Sequence, residues 1–266
     1  MTLRKGALAG GLCLLLPLTC VARPAGVWLA AGAESFALEE TGDSGNTLLT
    51  EQGPRFLLQM GWNRSWTAWS LEWRGRLVTG NVDYDGQTHS GIPLQTTTGW
   101  TGTTQEFLAG YSPGRDNRRL ELLAGLGIQL ARRSIANGSG SSQNEDFFMG
   151  LARLGGRWTI DRLELEGGLL QPWGVRQNAH LDSLGFADNP TLHPRPRPSA
   201  WAAAAWRLNT NNRLILAYEG LRLDASPAIA VRAMSGVGAC TAGSTCLVHQ
   251  PETRVDRFSL TLHHRF

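Results

Sequence analysis

Hydrophobic and polar residues alternate along much of the chain with a period of two. In the clearest run, Leu120 to Leu130, leucine, alanine or isoleucine occupies every second position, and most positions between them are polar or glycine. Similar alternation runs from Trp69 to Leu77 and from Arg162 to Leu169. Because successive side chains of a β-strand point to opposite faces, the pattern predicts strands with one apolar face and one face that carries charge.

The length of these segments distinguishes two kinds of β-protein. A soluble sandwich would also alternate, but its strands are usually about 5–6 residues long. A tilted strand of about 9–11 residues crosses a bilayer. Ten segments of that longer kind can be placed, at residues 27–38, 54–63, 66–79, 102–111, 118–131, 147–158, 162–171, 200–208, 213–223 and 255–266.

The connections between these strands alternate between short and long. The short ones are rich in Asn, Asp, Gly and Pro, as turns require, and fall at 63–65, 112–117, 159–161 and 209–212. The long ones fall at 39–53, 80–101, 132–146, 172–199 and 224–254. This asymmetry is typical of outer-membrane barrels. The sequence therefore predicts an all-β fold, a transmembrane antiparallel up-and-down β-barrel of ten strands, with short periplasmic turns and five long extracellular loops.

The N-terminus has the order of a secretory signal peptide. Arg4 and Lys5 precede an apolar run over 7–18, which is too short to span a bilayer as a helix. We expect a signal peptide at 1–22 and a single barrel domain at 23–266. Lys5 is the only lysine of the chain, so the mature part would carry 23 Arg against 22 Asp and Glu. A net charge of +1 offers no general surface for nucleic acid.

Two further patterns point to the outer membrane. Aromatic residues mark every predicted periplasmic strand end, as an interfacial girdle does: Trp28, Trp62, Trp66, Tyr111, Trp158, Trp206 and Phe266. Phe258, Leu260, Leu262 and the last residue, Phe266, occupy alternate positions. This end resembles the terminal strand of bacterial outer-membrane barrels. The resemblance implies insertion into a Gram-negative outer membrane, with the barrel assembly machinery, outer-membrane lipid and lipopolysaccharide as partners. The architecture is similar to that of ten-stranded barrels such as the omptin proteases and the Opc-type adhesins.

The charged faces of the strands predict the content of the lumen. Ten strands lie close to the size at which side chains fill a barrel, and arginine bonds carboxylates bidentately. We therefore expect an Arg–Glu network that fills the lumen, with a narrow charged channel as the alternative. The predicted members are Glu72, Arg74, Arg76, Glu106, Arg119, Glu121, Arg153, Arg157, Glu164, Glu166, Arg207, Glu219 and Arg257.

The long loops hold the candidates for chemistry. Asp83 and Asp85 would project to the same side of an extended chain, and His180 is close to Asp182. Omptins place an Asp pair and an Asp/His pair in their loops, so the resemblance suggests a surface hydrolase that uses these four residues. We rank it below a surface-exposed structural or interaction protein that contacts lipopolysaccharide or an unidentified external ligand. No cofactor or metal is expected.

Two loop segments suggest structural roles. Cys240 and Cys246 are the only cysteines after residue 22, and in an exported chain they predict a local disulfide. A metal site is the alternative, although only His249 is close in sequence. The His193–Pro198 segment alternates proline with arginine, which gives a stiff chain with spaced cations. It could contact lipopolysaccharide phosphates or form a rigid soluble loop.

Overall fold

Ten long antiparallel strands close into a single barrel. The structure is a computed structural model that describes residues 26–87, 91–113, 120–136, 142–237 and 240–266. The signal peptide expected at 1–22 and Arg119 lie outside these residues. The barrel strands are β1 (Gly26–Thr41), β2 (Thr47–Ser65), β3 (Trp69–Gln87), β4 (Pro93–Tyr111), β5 (Leu120–Ala136), β6 (Ser142–Ile160), β7 (Leu163–Asn178), β10 (Ser199–Arg207), β11 (Asn212–Asp224) and β14 (Glu252–Arg265). Strand β1 pairs with both β2 and β14, and β10 pairs with both β7 and β11, so the barrel is closed. The predicted fold is confirmed.

The remaining elements lie in the two longest connections. Strands β8 (Thr191–Leu192) and β9 (Arg195–Arg197) pair with β7 and β11 where these two strands extend beyond the end of β10. Strands β12 (Ile229–Arg232) and β13 (Thr245–Val248) form a separate hairpin, and a 3-10 helix spans Leu181–Leu184. Within the described ranges, no helix has the length and apolarity needed to cross a membrane.

Several barrel strands are longer than the sequence predicted. Strand β2 has 19 residues where ten were expected, so much of the predicted loop at 39–53 is strand. The same correction applies to the predicted loops at 80–101 and 132–146. The physical reason is visible on β5, where the outward residue changes from Leu130 to Arg132 while hydrogen bonding to β6 continues. The ladder extends above the apolar region, but the apolar alternation does not.

The outer wall carries a continuous apolar band, which we call the outward band. Leu126 on β5 and Leu154 on β6 are each 65% exposed, and Leu169 and Phe258 are exposed to a similar degree. Phe258, Leu260, Leu262 and the terminal Phe266 all lie on or beside this wall. Such a surface requires lipid, because a closed barrel satisfies its backbone internally and offers apolar side chains outward. The chain is therefore an outer-membrane β-barrel.

The aromatic girdle agrees with the prediction in part. Of the predicted residues, Tyr111, Trp158, Trp206 and Phe266 are exposed at the end of the barrel that carries the short turns, whereas Trp62 and Trp66 are half-buried and Trp66 borders the lumen. Trp69, which was not among the predicted residues, is exposed at the same end. Trp28 is only 5% exposed; it faces the lumen and its ring lies 4.7 Å from that of His263. The prediction is wrong at Trp28, because Val27 and Leu29 are the outward residues of β1.

Candidate functional site

The lumen near the short turns holds a network of arginines and glutamates, the lower network. Arg74 bonds Glu72 at 2.9 Å and Glu166 at 3.0 Å. Arg157 reaches Glu72 and Glu121 at 2.8 Å and Glu166 at 2.6 Å. These residues come from strands on opposite sides of the barrel. Their ion pairs therefore cross the lumen and tie distant strands together.

A second set, the middle network, lies deeper in the barrel. Glu34 pairs with both Arg55 and Arg76. Arg153 bonds Glu106 at 2.5 Å and also pairs with Glu219. A further member, Arg257, bonds Glu219 at 2.8 Å. The set contains four arginines and three glutamates, which leaves one positive charge in surplus.

An apolar layer covers the middle network on the side of the long loops. The Arg55 guanidinium lies 3.8 Å from the centre of the Phe36 ring, a cation–π contact. The Phe36 ring in turn packs 5.2 Å from Trp100. Other buried members of the layer are Leu38, Met149, Leu221, Leu223 and Val255. The filling of the lumen therefore includes aromatic and aliphatic side chains beside the expected Arg–Glu network.

Beyond the apolar layer lies the upper network, a cluster of three glutamates around one arginine. Arg133 bonds Glu40 at 2.9 Å, Glu51 at 2.8 Å and Glu145 at 3.0 Å, and it is 1% exposed. Trp100 donates its indole N–H to Glu51 at 2.7 Å. The cluster lies above the outward band, level with the polar outer residue Arg132.

The electrostatics of the upper network are unbalanced. Burial raises the pKa of Glu40, and the neighbouring carboxylates of Glu145 and Glu51 raise it further, against the attraction of Arg133. Burial disfavours the charge of Arg133, but the three carboxylates outweigh it and hold the pKa of this guanidinium well above its ordinary value. The site therefore depends on a single cation.

Most of the predicted lumen residues form the ion pairs of the lower and middle networks; among the described ones, only Arg207 and Glu164 do not. Glu164 lies 3.5 Å from Arg213 and 3.7 Å from Arg157. Arg207 lies at the mouth of the barrel and forms no ion pair within the described chain. The upper network was missed, because Glu40, Glu51, Arg133 and Glu145 all lie in predicted loops. They could have been found by extending the alternation of each strand beyond its last apolar residue, because all four lie at positions that then face the lumen.

The structure separates the residues proposed for hydrolysis. Asp83 and Asp85 are on β3 and exposed, whereas Val82 and Tyr84 beside them are buried, so both carboxylates face outward. His180 follows β7, and β4, β5 and β6 lie between β3 and β7. Its Nε2 lies 2.8 Å from the Oδ2 of Asp146, on β6.

Asp182 is an exposed residue of the 3-10 helix. No hydrogen bond or ion pair between described residues joins the Asp83/Asp85 pair to the His180 region. Across the described ranges, no three His, Cys, Asp or Glu side chains are grouped so that they could hold a metal.

The two longest connections pack together as an ordered unit, the loop cap, made of residues 179–187 and the described part of 229–248. Phe186 forms a β-bridge with Ala233, and Ala187 N–H donates to the Arg232 carbonyl at 2.8 Å. The unit has its own core, and a disulfide joins two of its residues, Cys240 and Cys246. The buried core residues are Ala179, Leu181, Phe186, Val231, Ala233 and Cys246. His249, the other candidate metal ligand, lies 3.6 Å from Asp43 instead.

A row of arginines crosses three neighbouring strands on the outer wall, the arginine row. Arg222 on β11 is in register with Arg197 on β9 and with Arg254 on β14. A fourth member, Arg195, is in register with Asp224. The row lies above the outward band, since Phe258 is the next large apolar outward residue below Arg254 on β14.

The charges of the arginine row are only partly neutralised. Arg254 bonds Asp256 at 2.9 Å through Nε alone, and its side chain is 60% exposed. Arg197 bonds Asp224 at 3.2 Å through one terminal nitrogen. With Glu39, which is in register with Arg254, the four arginines face three acids. Several guanidinium N–H donors therefore remain directed outward.

Comparisons with known proteins agree on the fold and go no further. No protein-family model matches the chain, and no curated protein matches it. Among solved structures, the outer membrane protease OmpT from Escherichia coli is similar with a TM-score of 0.52 and 11% identity, covering 94% of this chain and 98% of OmpT. Neisserial surface protein A has a TM-score of 0.38 and 9% identity, covering 92% and 100%. An outer membrane channel from Pseudomonas putida F1 has a TM-score of 0.42 and 13% identity, covering 91% and 95%.

Proposed function

We propose that this protein is a surface-exposed interaction protein that binds the phosphates of lipopolysaccharide along its outer wall and presents an ordered loop cap to the exterior. In outer-membrane barrels the short turns face the periplasm and the long loops face outward. This orientation puts the arginine row on the external side of the outward band, at the level of the outer-leaflet headgroups.

The observation that carries the proposal is the cross-strand register of Arg197, Arg222 and Arg254. Like charges directly opposite each other destabilise a sheet. Asp224 and Asp256 offset this repulsion only in part, and a ligand of opposite charge would offset the rest. Guanidinium groups match phosphate oxygens bidentately. The exposed N–H donors of Arg197 and Arg254 supply that contact, and the adjacent apolar band supports the acyl chains.

The loop cap supports the second part of the proposal. A segment with its own buried core and a cross-link is ordered before it meets a partner, so binding costs less conformational entropy. Met234 and Leu247 are exposed on the cap, at 63% and 73%. They offer apolar contact area to an external ligand.

Binding of purified, refolded protein to hexa-acylated lipid A tests the proposal. Each charge-assisted hydrogen bond contributes about 1.5–3 kcal/mol, so R197Q/R254Q should weaken binding by tenfold or more. The R132Q variant is the matched control, because Arg132 is equally exposed at 57% but lies on β5, away from the row. Equal affinity of R197Q/R254Q and wild type would exclude the arginine row as the site.

A surface hydrolase is the second candidate, and the contact between His180 and Asp146 is what favours it. A carboxylate that orients a histidine is a recurring element of hydrolytic sites. Incubation with basic peptides should give no cleavage if the interaction role is correct. Cleavage that persists in D83N/D85N but disappears in H180A would instead support hydrolysis at the His180–Asp146 pair.

A narrow channel is the third candidate. The middle network, the apolar layer and the upper network block the lumen above the end with the short turns, which argues for a closed barrel. In a planar bilayer we expect no stable conductance steps from purified protein. Stable, ion-selective steps would establish the channel instead.

A further inference from the structure

The lumen contains a cavity of about 470 Å³ that opens between the short turns. Trp66 and Trp69 lie at its mouth, and Trp28 forms part of its wall. Its inner end is made by the middle network, and the apolar layer lies beyond. Its volume is in the range of ligand pockets. In the orientation adopted above, this vestibule faces the periplasm.

The inner end of the vestibule is rich in unused donors. The Nε atoms of Arg257 and Arg76 are buried and make no hydrogen bond with any described residue. Arg257 is 8% exposed, and both residues line the cavity. Nearer the mouth, the Nδ1 atom of His263 is also buried without a partner among the described residues. A buried polar group without a partner costs free energy, because it has lost its hydrogen bonds to water. A ligand that accepts these hydrogen bonds would recover that free energy.

The charge of the vestibule indicates the class of ligand. Its lining contains eight arginines and seven glutamates. The middle network at the inner end has the same surplus, because Arg55, which lies behind the lining, joins Arg76, Arg153 and Arg257 against Glu34, Glu106 and Glu219. A monoanion would neutralise this surplus, whereas a phosphate dianion would reverse it. The matching group is a single carboxylate.

We propose that the vestibule is a binding site for a small aromatic or apolar monocarboxylate taken from the periplasmic side. The carboxylate accepts hydrogen bonds from Arg257 and Arg76 at the inner end. The organic part lies against the Trp201 ring, which lines the cavity and is in register, through Glu219, with Arg257. This site is separate from the arginine row and does not depend on lipopolysaccharide binding.

Calorimetric titration of protein in lipid nanodiscs with 2-naphthoate tests the inference, since this probe combines a ring system with one carboxylate. We expect one site per chain and at least tenfold weaker binding of the uncharged isostere 2-naphthamide. R257Q should also lose tenfold or more. Because Arg257 belongs to the middle network, heat-modifiable migration on unboiled gels must first show that R257Q is folded.

A second pair of variants leaves every arginine in place. Ala203 lines the cavity, and A203F should abolish binding by occupying its volume. The neighbouring residue Ala204 faces the lipid by strand parity, and A204F should bind as wild type does. The proposal is overturned by undetectable 2-naphthoate binding, by equal binding of the amide, by unchanged binding in A203F, or by tighter binding of 2-naphthyl phosphate.

Discussion

Removal of Arg133 is the sharpest test of how the upper half of the barrel is held together. In R133M, a side chain of similar length keeps most of the packing, but Glu40, Glu51 and Glu145 lose their common cation. Removing one partner of a buried ion pair costs about 3–5 kcal/mol. For a chain of this size, 1 kcal/mol corresponds to about 2–4 °C in melting temperature. We therefore expect R133M to melt on the order of 10 °C below wild type.

The assay is the temperature at which the folded band disappears on unboiled gels, with tryptophan fluorescence as a second probe. R132M is the matched control: Arg132 is adjacent in sequence but exposed, and its contact with Asp146 spans 3.8 Å. An exposed pair of this kind contributes about 0–1 kcal/mol. Adding E51Q to R133M should restore part of the loss, because it removes one uncompensated charge. If R133M and R132M melt together, the ion-pair account of the upper network is wrong.

Three further outcomes are expected. The folded-state pKa of Glu40 is raised, so the contribution of Glu40 to stability is greatest below its unfolded pKa and is lost as the pH rises through its folded pKa. The E40Q variant should therefore have the same melting temperature as wild type in acid and a higher melting temperature at neutral pH. The reverse order would refute the assignment. Replacing Cys240 and Cys246 by serine should remove about 2 kcal/mol from the loop cap, seen as faster hydrogen exchange at 229–248 with unchanged melting of the barrel; equal exchange would contradict it. Deleting Phe266 should reduce the fraction of protein that folds in membranes but leave unchanged the melting temperature of protein refolded in detergent. Normal assembly in membranes would show that the barrel assembly machinery does not recognise this residue.

The sequence alone was sufficient for the strand count and topology, because each strand carries its own evidence. The outward band requires an apolar residue at every second position, as at Leu120 to Leu130, and the short turns require Asn, Asp, Gly or Pro. These are local requirements of a strand in lipid, so they can be recognised in the sequence without knowledge of the neighbouring strands. The C-terminal residues Phe258 to Phe266 are local in the same sense.

The contents of the lumen depended on the tertiary structure. Closure and stagger bring Arg133 to Glu40 and Glu51, which are 93 and 82 residues away along the chain, and no local pattern records which strands face each other across a barrel. The arginine row likewise exists only through the register of three strands. The direction of Trp28, in contrast, follows from the local alternation of β1, in which the neighbouring Val27 and Leu29 face outward.

The near absence of lysine illustrates what the sequence determines and what only the tertiary structure decides. From the sequence it follows that the single Lys5 lies in the expected leader and that the barrel uses arginine alone. Only the structure shows where those arginines lie. Some form ion pairs that cross the lumen, and others form the exposed arginine row above the outward band. A few, such as Arg257, line a cavity and have an N–H donor without a partner. Side-chain type is a property of the chain, but the partner of a long, flexible side chain is selected by the closed barrel around it.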